Sequence, residues 1–137
     1  EYKNNEFVQV GTIKNSYEIY DSVGITIKPN DNDYIIHSLA GQFNYGEDIE
    51  KCYSKQNSIS QDIDEFIGES TKKYEWDGDY KYDTSGKSKV KYIDYVFKDD
   101  SAIRIICYDM SNEFIDPNDA LYVVVNTVEF SKFLDTL

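Results

Sequence analysis

The chain has only two cysteines and one histidine, so few catalytic arrangements of these residues are possible. A reactive thiolate needs exposure and nearby positive charge, and a Cys or Ser nucleophile here would have to use His37 as its base. Cys52 and Cys107 each fall on an apolar stripe, which favours buried thiols or a disulfide, and His37 lies in an apolar run that favours a structural imidazole. A small secreted hydrolase using a Cys/His pair is kept only as the alternative to this structural interpretation.

Carboxylates are abundant, with 26 Asp and Glu residues against 14 Lys and Arg residues. A glycosidase needs two carboxyl groups at about 5–9.5 Å, one of them desolvated, and nothing in the sequence singles out such a pair. Asp77, Asp79 and Asp83 have the spacing of calcium-loop ligands, but Lys81 occupies a ligand position. A hydrolase that uses a carboxylate pair remains an alternative function. Weak calcium binding by residues 77–83 or by residues 30–33 is a second alternative.

The net charge of −12 excludes several classes of partner. It opposes the phosphate backbone of nucleic acid and anionic lipid headgroups, so we expect neither as a partner. No apolar run approaches the about 20 residues that span a bilayer, which predicts no membrane insertion. We expect no cofactor, because residues 85–88 end like a phosphate-binding loop but Lys81 stands at the required earlier glycine position.

Aromatic residues provide the remaining candidate site. Exposed tyrosine and tryptophan are favoured contact residues for proteins and carbohydrates. We predict a binding surface on or beside one face of a β-hairpin, formed by Trp76, Tyr80, Tyr82, Tyr92, Arg104 and Tyr108. The alternative is that the C-terminal helix or residues 71–89 cover this face, which would make the tyrosines the rim of a core.

A long helix must support this surface. Apolar residues at spacings of three, four and seven predict an amphipathic helix over residues 47–67, with negative charge in its first turn. Residues 56–58 are weak helix formers at which it can kink, and Gly68 suits a left-handed residue at its end. The apolar stripe comprises Ile49, Cys52, Tyr53, Ile59, Ile63, Phe66 and Ile67.

Residues 90–98 and 102–109 predict the hairpin. A loop over residues 99–101 makes one face wholly apolar, with the pairs Phe97–Ile103, Tyr95–Ile105 and Ile93–Cys107. On the other face Tyr92 then lies opposite Tyr108, and Asp94 is diagonal to Arg104. If the helix packs on the apolar face, Cys52 and Cys107 come within the about 4.4–6.8 Å between Cα atoms that a disulfide requires.

The other elements follow from local patterns. Strands are predicted at residues 7–13 and 17–20 around a turn at Asn15-Ser16, and at residues 23–27, 34–45 and 121–125. Asn126 or Thr127 can cap a final helix whose apolar stripe is Phe130, Phe133, Leu134 and Leu137. The sequence thus predicts one α+β domain over residues 1–137: a single antiparallel β-sheet of five to six strands packed on one long amphipathic helix, plus a short C-terminal helix.

Several segments resemble a group of small, uncharacterised exported proteins of AT-rich bacteria. They are Gly41-Gln42-Phe43-Asn44-Tyr45-Gly46 leading into Cys52, then Gly86-Lys87-Ser88-Lys89-Val90, and Cys107-Tyr108-Asp109. The resemblance implies export and a paired Cys52 and Cys107. It implies no activity, cofactor or site.

The leading interpretation is a non-catalytic exported binding domain that recognises a protein or glycan, or inhibits a secreted enzyme, through its tyrosine-bearing sheet face. Because the chain begins at Glu1 without a methionine, we expect that an export signal was removed and that the protein is secreted or periplasmic. The alternative is a domain cut from a larger protein.

Overall fold

The computed structural model describes residues 6–13, 19–68, 71–114 and 117–136. Over these residues the chain is α+β, as predicted, but its antiparallel sheet has 7 strands where five to six were expected. In chain order the elements are β1 (Val8–Ile13), β2 (Ser22–Ile27), β3 (Ser38–Gly46), α1 (Ile49–Phe66), β4 (Lys72–Asp79), β5 (Lys89–Val96), β6 (Ala102–Asp109), β7 (Asp119–Asn126) and α2 (Val128–Leu134). Within the sheet the strands lie in the order β1-β2-β3-β7-β6-β5-β4.

Helix α1 begins after Asp48, whose Oδ1 accepts the backbone N–H of Lys51 at 3.3 Å. It ends in Ile67, which is extended and donates its N–H to the Ile63 carbonyl at 3.0 Å. The predicted left-handed ending at Gly68 is therefore wrong. The helix also continues through residues 56–58, because buried Gln56 donates its side-chain N–H groups to backbone carbonyls of β5 and β6.

Helix α1 packs on one side of the sheet, which we call the helix face. Its buried side chains are Ile93, Tyr95, Ile105, Cys107 and Leu121. Cys52 of α1 joins Cys107 in a disulfide with 6.0 Å between the Cα atoms, within the usual range. This confirms the predicted packing of the helix on the hairpin. Beyond α1, at the β1–β3 end, Val10 and Leu39 are left about half-exposed on the same face.

The predicted hairpin register is wrong by one full period of side-chain alternation. Ile93 lies opposite Ile105, and Tyr95 lies opposite Ile103. The loop has three residues, as predicted, but it lies at residues 98–100, since the Phe97 N–H donates to the Ser101 carbonyl at 2.9 Å and the Asp100 N–H donates to the Phe97 carbonyl at 3.0 Å. Because the shift is a full period, each strand residue still lies on its predicted face.

A charge pair explains why the observed register is preferred. Asp94 and Arg104 lie directly opposite each other, where diagonal positions were predicted. Their side chains form two hydrogen bonds, of 2.8 Å and 2.7 Å, in the bidentate geometry that is strongest for this pair. Asp100 adopts the left-handed conformation, with φ of 69°, that commonly ends a three-residue hairpin loop. Tyr92 accordingly faces Ile106, where Tyr108 was predicted.

The first strands also differ from the prediction. β1 pairs with β2, and Ile19 and Tyr20 are outside any strand, so the predicted strand at residues 17–20 is wrong where it is described. The predicted turn at Asn15-Ser16 lies outside the described residues. β3 begins only at Ser38, because the Asp31 carboxylate accepts the N–H groups of residues 33 and 35 and folds the preceding segment into a loop.

A second, smaller core lies on the other side of the sheet. Thr127 caps α2, as predicted, by accepting the Phe130 N–H at 3.4 Å. Phe130 and Phe133 pack against Phe7, with ring centroids at 5.0 and 4.8 Å. Predicted stripe residue Leu137 lies outside the described residues. Neither helix of the described chain has the length and apolar character of a bilayer-spanning segment.

Candidate binding surface

The face opposite α1 carries most of the predicted binding residues, because opposing residues of paired strands share a face. We call it the tyrosine face and define it by Trp76, Tyr92, Arg104, Tyr108 and Tyr122. One row of side chains crosses five neighbouring strands through cross-strand pairs, namely Trp76, Tyr92, Ile106, Tyr122 and Gln42. Strands that are distant in sequence thus place their side chains on one surface.

Trp76, Tyr92 and Arg104 form a stack on this face. The rings of Trp76 and Tyr92 are stacked, with centroids 5.5 Å apart and planes at 24°. The guanidinium carbon of Arg104 lies 5.3 Å from the Tyr92 ring centroid, within cation–π distance. Asp94 holds that guanidinium through both of its carboxylate oxygens. The stack is therefore fixed before any partner arrives, and its one cation is already paired.

Tyr80 lies at the centre of a second group of rings. Its ring is 5.5 Å from Tyr82, 5.6 Å from Tyr108 and 5.7 Å from Phe114, in edge-to-face arrangements. Tyr108 in turn meets Tyr122 at 5.5 Å and 88°. The structure thus brings the six predicted contact residues together in two adjoining groups. Tyr108 belongs to the tyrosine face and also contacts Tyr80, so it joins the two groups.

Asp83 holds the turn that presents Tyr80 and Tyr82. Its carboxylate accepts hydrogen bonds from the backbone and hydroxyl of Ser88 and from the N–H of Ser85. These bonds hold the pKa of Asp83 well below its usual range. Residues 85–88 therefore bind a carboxylate of the chain itself, and the resemblance to a phosphate loop has no structural counterpart. Within the described ranges, no cluster of three or more His, Cys, Asp or Glu residues is arranged to hold a metal ion.

The surface is partly covered and partly open. Phe130 and Leu134 of α2 lie over one end of the face, and the turn with Tyr80 lies over the other. The alternative prediction, that the C-terminal helix or residues 71–89 cover the face, is therefore correct for its two ends. Tyr92 and Tyr108 are half-buried, whereas Trp76 and Tyr82 are 54% and 64% exposed. Cavities of about 360 and 270 Å³ open beside Tyr80 and Tyr108.

Three phenols of this surface keep their protons. Burial raises the pKa of Tyr80, Tyr92 and Tyr108 above the ordinary value of 10.0. Each hydroxyl therefore remains a hydrogen-bond donor as well as an acceptor at physiological pH. The surface offers neutral polar groups on aromatic rings.

The predicted cysteine hydrolase is wrong. Both cysteines are consumed in the Cys52–Cys107 disulfide, so neither offers a thiolate. His37 is a buried structural residue, as the sequence favoured: its ring packs edge-on against Phe7, and its Nδ1 lies 3.3 Å from Glu129 Oε2. His37 contacts α2, whereas the disulfide lies under α1.

Among the carboxylates, Asp119 has the environment closest to that of a catalytic acid. It is 3% exposed, and burial raises its pKa, with Asp109 and Glu47 adding to the effect. Its Oδ1 accepts the Met110 N–H at 2.9 Å and so closes the connection between β6 and β7. This is a structural use of the carboxylate, and a catalytic carboxylate pair stays a prediction.

Several residues of the surface were not predicted. Gln42, Phe114, Asn118 and Tyr122 line the larger cavity with the predicted tyrosines. The alternation along β7 does carry a signal for Tyr122, since it points away from its buried neighbour Leu121. The partner strands of β7 could not be read from local patterns, so that signal could not be connected to Tyr108.

Comparisons with models of protein families, with curated proteins and with solved structures find no match for this chain. Its function must therefore be inferred from its own side chains. The tyrosine face, with fixed aromatic stacks and open cavities, is the most developed surface among the described residues.

Proposed function

We propose that this protein is a non-catalytic exported binding domain that captures a protein or glycan with its tyrosine face. One observation carries the proposal. Aromatic side chains from β4, β5, β6 and the turn after β4 meet on one half-open surface, namely those of Trp76, Tyr92, Tyr108, Tyr80 and Tyr82. Large, rigid, amphipathic rings provide contact area at low entropic cost, which is why they dominate binding hot spots.

The surface is also organised in advance of binding. The stack of Trp76, Tyr92 and Arg104 is held from below by Asp94, and Tyr80 is held by the hydrogen bond from its N–H to the Ser88 carbonyl at 2.9 Å. Groups that need no reordering lose little entropy when a partner binds. Inhibition of a secreted enzyme would be one form of the same binding.

Export is supported by the covalent chemistry. Disulfides persist in oxidising compartments and are rare in the cytosol, and the chain joins its two cysteines in a disulfide in the core. A secreted or periplasmic location is therefore part of the proposal.

Labelled protein applied to glycan and peptide arrays tests the proposal. The double variant Tyr92→Ala, Tyr108→Ala should lose every specific signal of the native chain. The control is Tyr34→Ala, Phe66→Ala, which removes aromatic rings that are 78% and 86% exposed and lie off the tyrosine face. Unchanged binding by the first variant would refute the proposal.

Because Tyr92 and Tyr108 are half-buried, folding of their variants needs a check by circular dichroism. Trp76→Ala is the backup variant, since its ring is largely exposed and its loss removes only the stacked cover of Tyr92. We expect Trp76→Ala to melt at the native temperature and to bind more weakly. If Trp76→Ala and the double variant are both well folded and both bind as the native chain does, the partner does not bind at the tyrosine face.

A further inference from the structure

The larger cavity has walls of one chemical character. Its volume of about 360 Å³ falls within the range of small-ligand sites. None of its described lining residues carries a formal charge; they are Gln42, Asn44, Tyr80, Tyr108, Met110, Phe114, Asn118, Ala120 and Tyr122. In a chain with a net charge of −12, this described lining contains neither a carboxylate nor a cation, whereas the neighbouring cavities each include at least one charged residue.

Charged side chains beside the cavity are engaged within the chain: Asp21 Oδ2 accepts the N–H of the lining residue Asn44 at 2.7 Å. Arg104 donates to both oxygens of Asp94, at 2.8 and 2.7 Å, so neither offers a free charge to a ligand. An anionic ligand would need an unpaired cation, and a cationic ligand would need an unpaired carboxylate. The described lining matches a neutral ligand.

The rings of the lining stand nearly perpendicular to one another. The planes of Tyr80 and Tyr108 meet at 84°, and those of Tyr108 and Tyr122 meet at 88°. A cluster of this kind presents both the electron-rich faces and the electropositive edges of its rings. The C–H groups of a pyranose ring are weakly positive and pack well against such a face.

The amide groups on the opposite wall are fixed in position. Gln42 Nε2 donates to Asn44 Oδ1 at 2.7 Å, and Ser22 Oγ donates to Gln42 Oε1 at 2.8 Å. A primary amide has two N–H donors and an oxygen acceptor, so Gln42 and Asn44 each retain donor capacity beyond these bonds. Oriented amides beside aromatic rings are suited to the alternating donors and acceptors of sugar hydroxyls.

We propose that this cavity binds one ring of a neutral glycan, packed against the tyrosines and hydrogen-bonded through its hydroxyls to Gln42 and Asn44. This inference rests on the proposed function and names the ligand class of the same surface. A neighbouring cavity of about 270 Å³ shares Tyr80 and Tyr108 as lining residues and adds Trp76 and Tyr82 together with Asp79 and Lys81. A glycan of several residues can therefore continue from one cavity into the next past Tyr80 and Tyr108.

Saturation-transfer NMR with the native chain tests the inference against three probe sets. These are neutral oligosaccharides of hexose and N-acetylhexosamine, oligosaccharides of matched length that contain uronic acid, and neutral peptides that contain tyrosine. We expect signals from neutral oligosaccharides, and titration of the best of them should show at least ten-fold weaker binding to Gln42→Leu. Gln61→Leu makes the same change on the exposed side of α1 and should bind as the native chain does.

The outcomes separate this inference from the proposed function. Preference for peptides or for uronic acid oligosaccharides, abolished by Tyr92→Ala with Tyr108→Ala, would overturn the neutral glycan and keep the binding face. Binding of neutral glycan that Gln42→Leu leaves unchanged would exclude this cavity. If Gln42→Leu fails to fold, Asn44→Ala tests the same wall, because Asn44 is exposed. No signal from any oligosaccharide at millimolar concentration would also overturn the inference.

Discussion

The two faces of the sheet use the same kinds of residue for opposite purposes. On the helix face the hydroxyl of Tyr95 is buried and bonded to Ser60 and Asp64 of α1, so its polar group serves the fold. On the tyrosine face Tyr92 and Tyr108 border cavities and are only half-buried. Closing one face with α1 and a disulfide allows the other to keep aromatic rings half-exposed.

The comparison also shows where the free energy of folding is concentrated. The helix face contains the disulfide and the larger group of buried side chains, whereas the core under α2 centres on Phe7, Phe130 and Phe133. Apolar burial is the main favourable term in folding, so the helix face should dominate stability. Changes on the tyrosine face should alter binding more than stability.

The largest expected effect is the loss of the disulfide. Cys52 and Cys107 are separated by 55 residues, and closing a loop of that length stabilises the fold by about 4 kcal/mol in the chain-entropy description. The variant Cys52→Ser, Cys107→Ser should lose about that much unfolding free energy in urea titrations.

The disulfide variant also tests the division between the faces. At low temperature, where the variant remains folded, its binding to array ligands should equal that of the native chain. Loss of binding with intact secondary structure would show that the tyrosine face depends on the disulfide, and the contrast between the faces would fail.

The second prediction concerns the buried hydroxyl of Tyr95, which lies 2.8 Å from both Ser60 Oγ and Asp64 Oδ1. Tyr95→Phe leaves the Ser60 hydroxyl buried without this partner, which should cost about 1–3 kcal/mol of unfolding free energy. Tyr74→Phe makes the same change on the exposed edge strand β4 and should cost less than about 0.5 kcal/mol. Equal losses in chemical denaturation would contradict the assignment of Tyr95 to the fold.

The third prediction leaves the Arg104 cation of the tyrosine face without its ion-pair partner. Asp94→Asn removes the partner of Arg104, a half-buried pair, and should lower the unfolding free energy by about 1 kcal/mol. The freed guanidinium beside Tyr92 should raise affinity for oligosaccharides that contain uronic acid, measured by titration calorimetry. An unchanged preference for neutral ligands would show that the paired charge plays no part in selectivity.

The difference between the faces also explains what could be predicted from the sequence. Alternation along β5 and β6 assigns each residue to a face, and this assignment is correct for Ile93 and Tyr92 alike. The same alternation cannot distinguish registers that differ by a full period, which is why the pairing of Ile93 was wrong. Pairing depends on the turn and on the contact between Asp94 and Arg104, which are properties of particular residues.

The order of strands that are distant in sequence could not be predicted from local patterns. β7 lies between β3 and β6, and this placement brings Tyr122 and Gln42 to the tyrosines of the hairpin. No local signal states which strand is the neighbour of another when they are distant in sequence. Likewise, the sequence pattern marks Gln56 as part of a weak helical segment. Gln56 is nevertheless buried in the helix, because its side chain donates hydrogen bonds to backbone carbonyls of β5 and β6.

The smallest expected effect comes from Asp119, at the end of the helix face. Burial raises the pKa of Asp119 above its ordinary value of 3.8, so the folded chain holds this proton more tightly than the unfolded chain does. The stabilising contribution of the protonated form is complete below the ordinary pKa and is lost as the pH rises through the raised one. Asp119→Asn keeps an oxygen for the Met110 N–H and should raise the unfolding free energy at pH 7 by less than about 1 kcal/mol. Its advantage should disappear below the ordinary pKa, and a gain that is constant with pH would show that ionisation of Asp119 has no part in it.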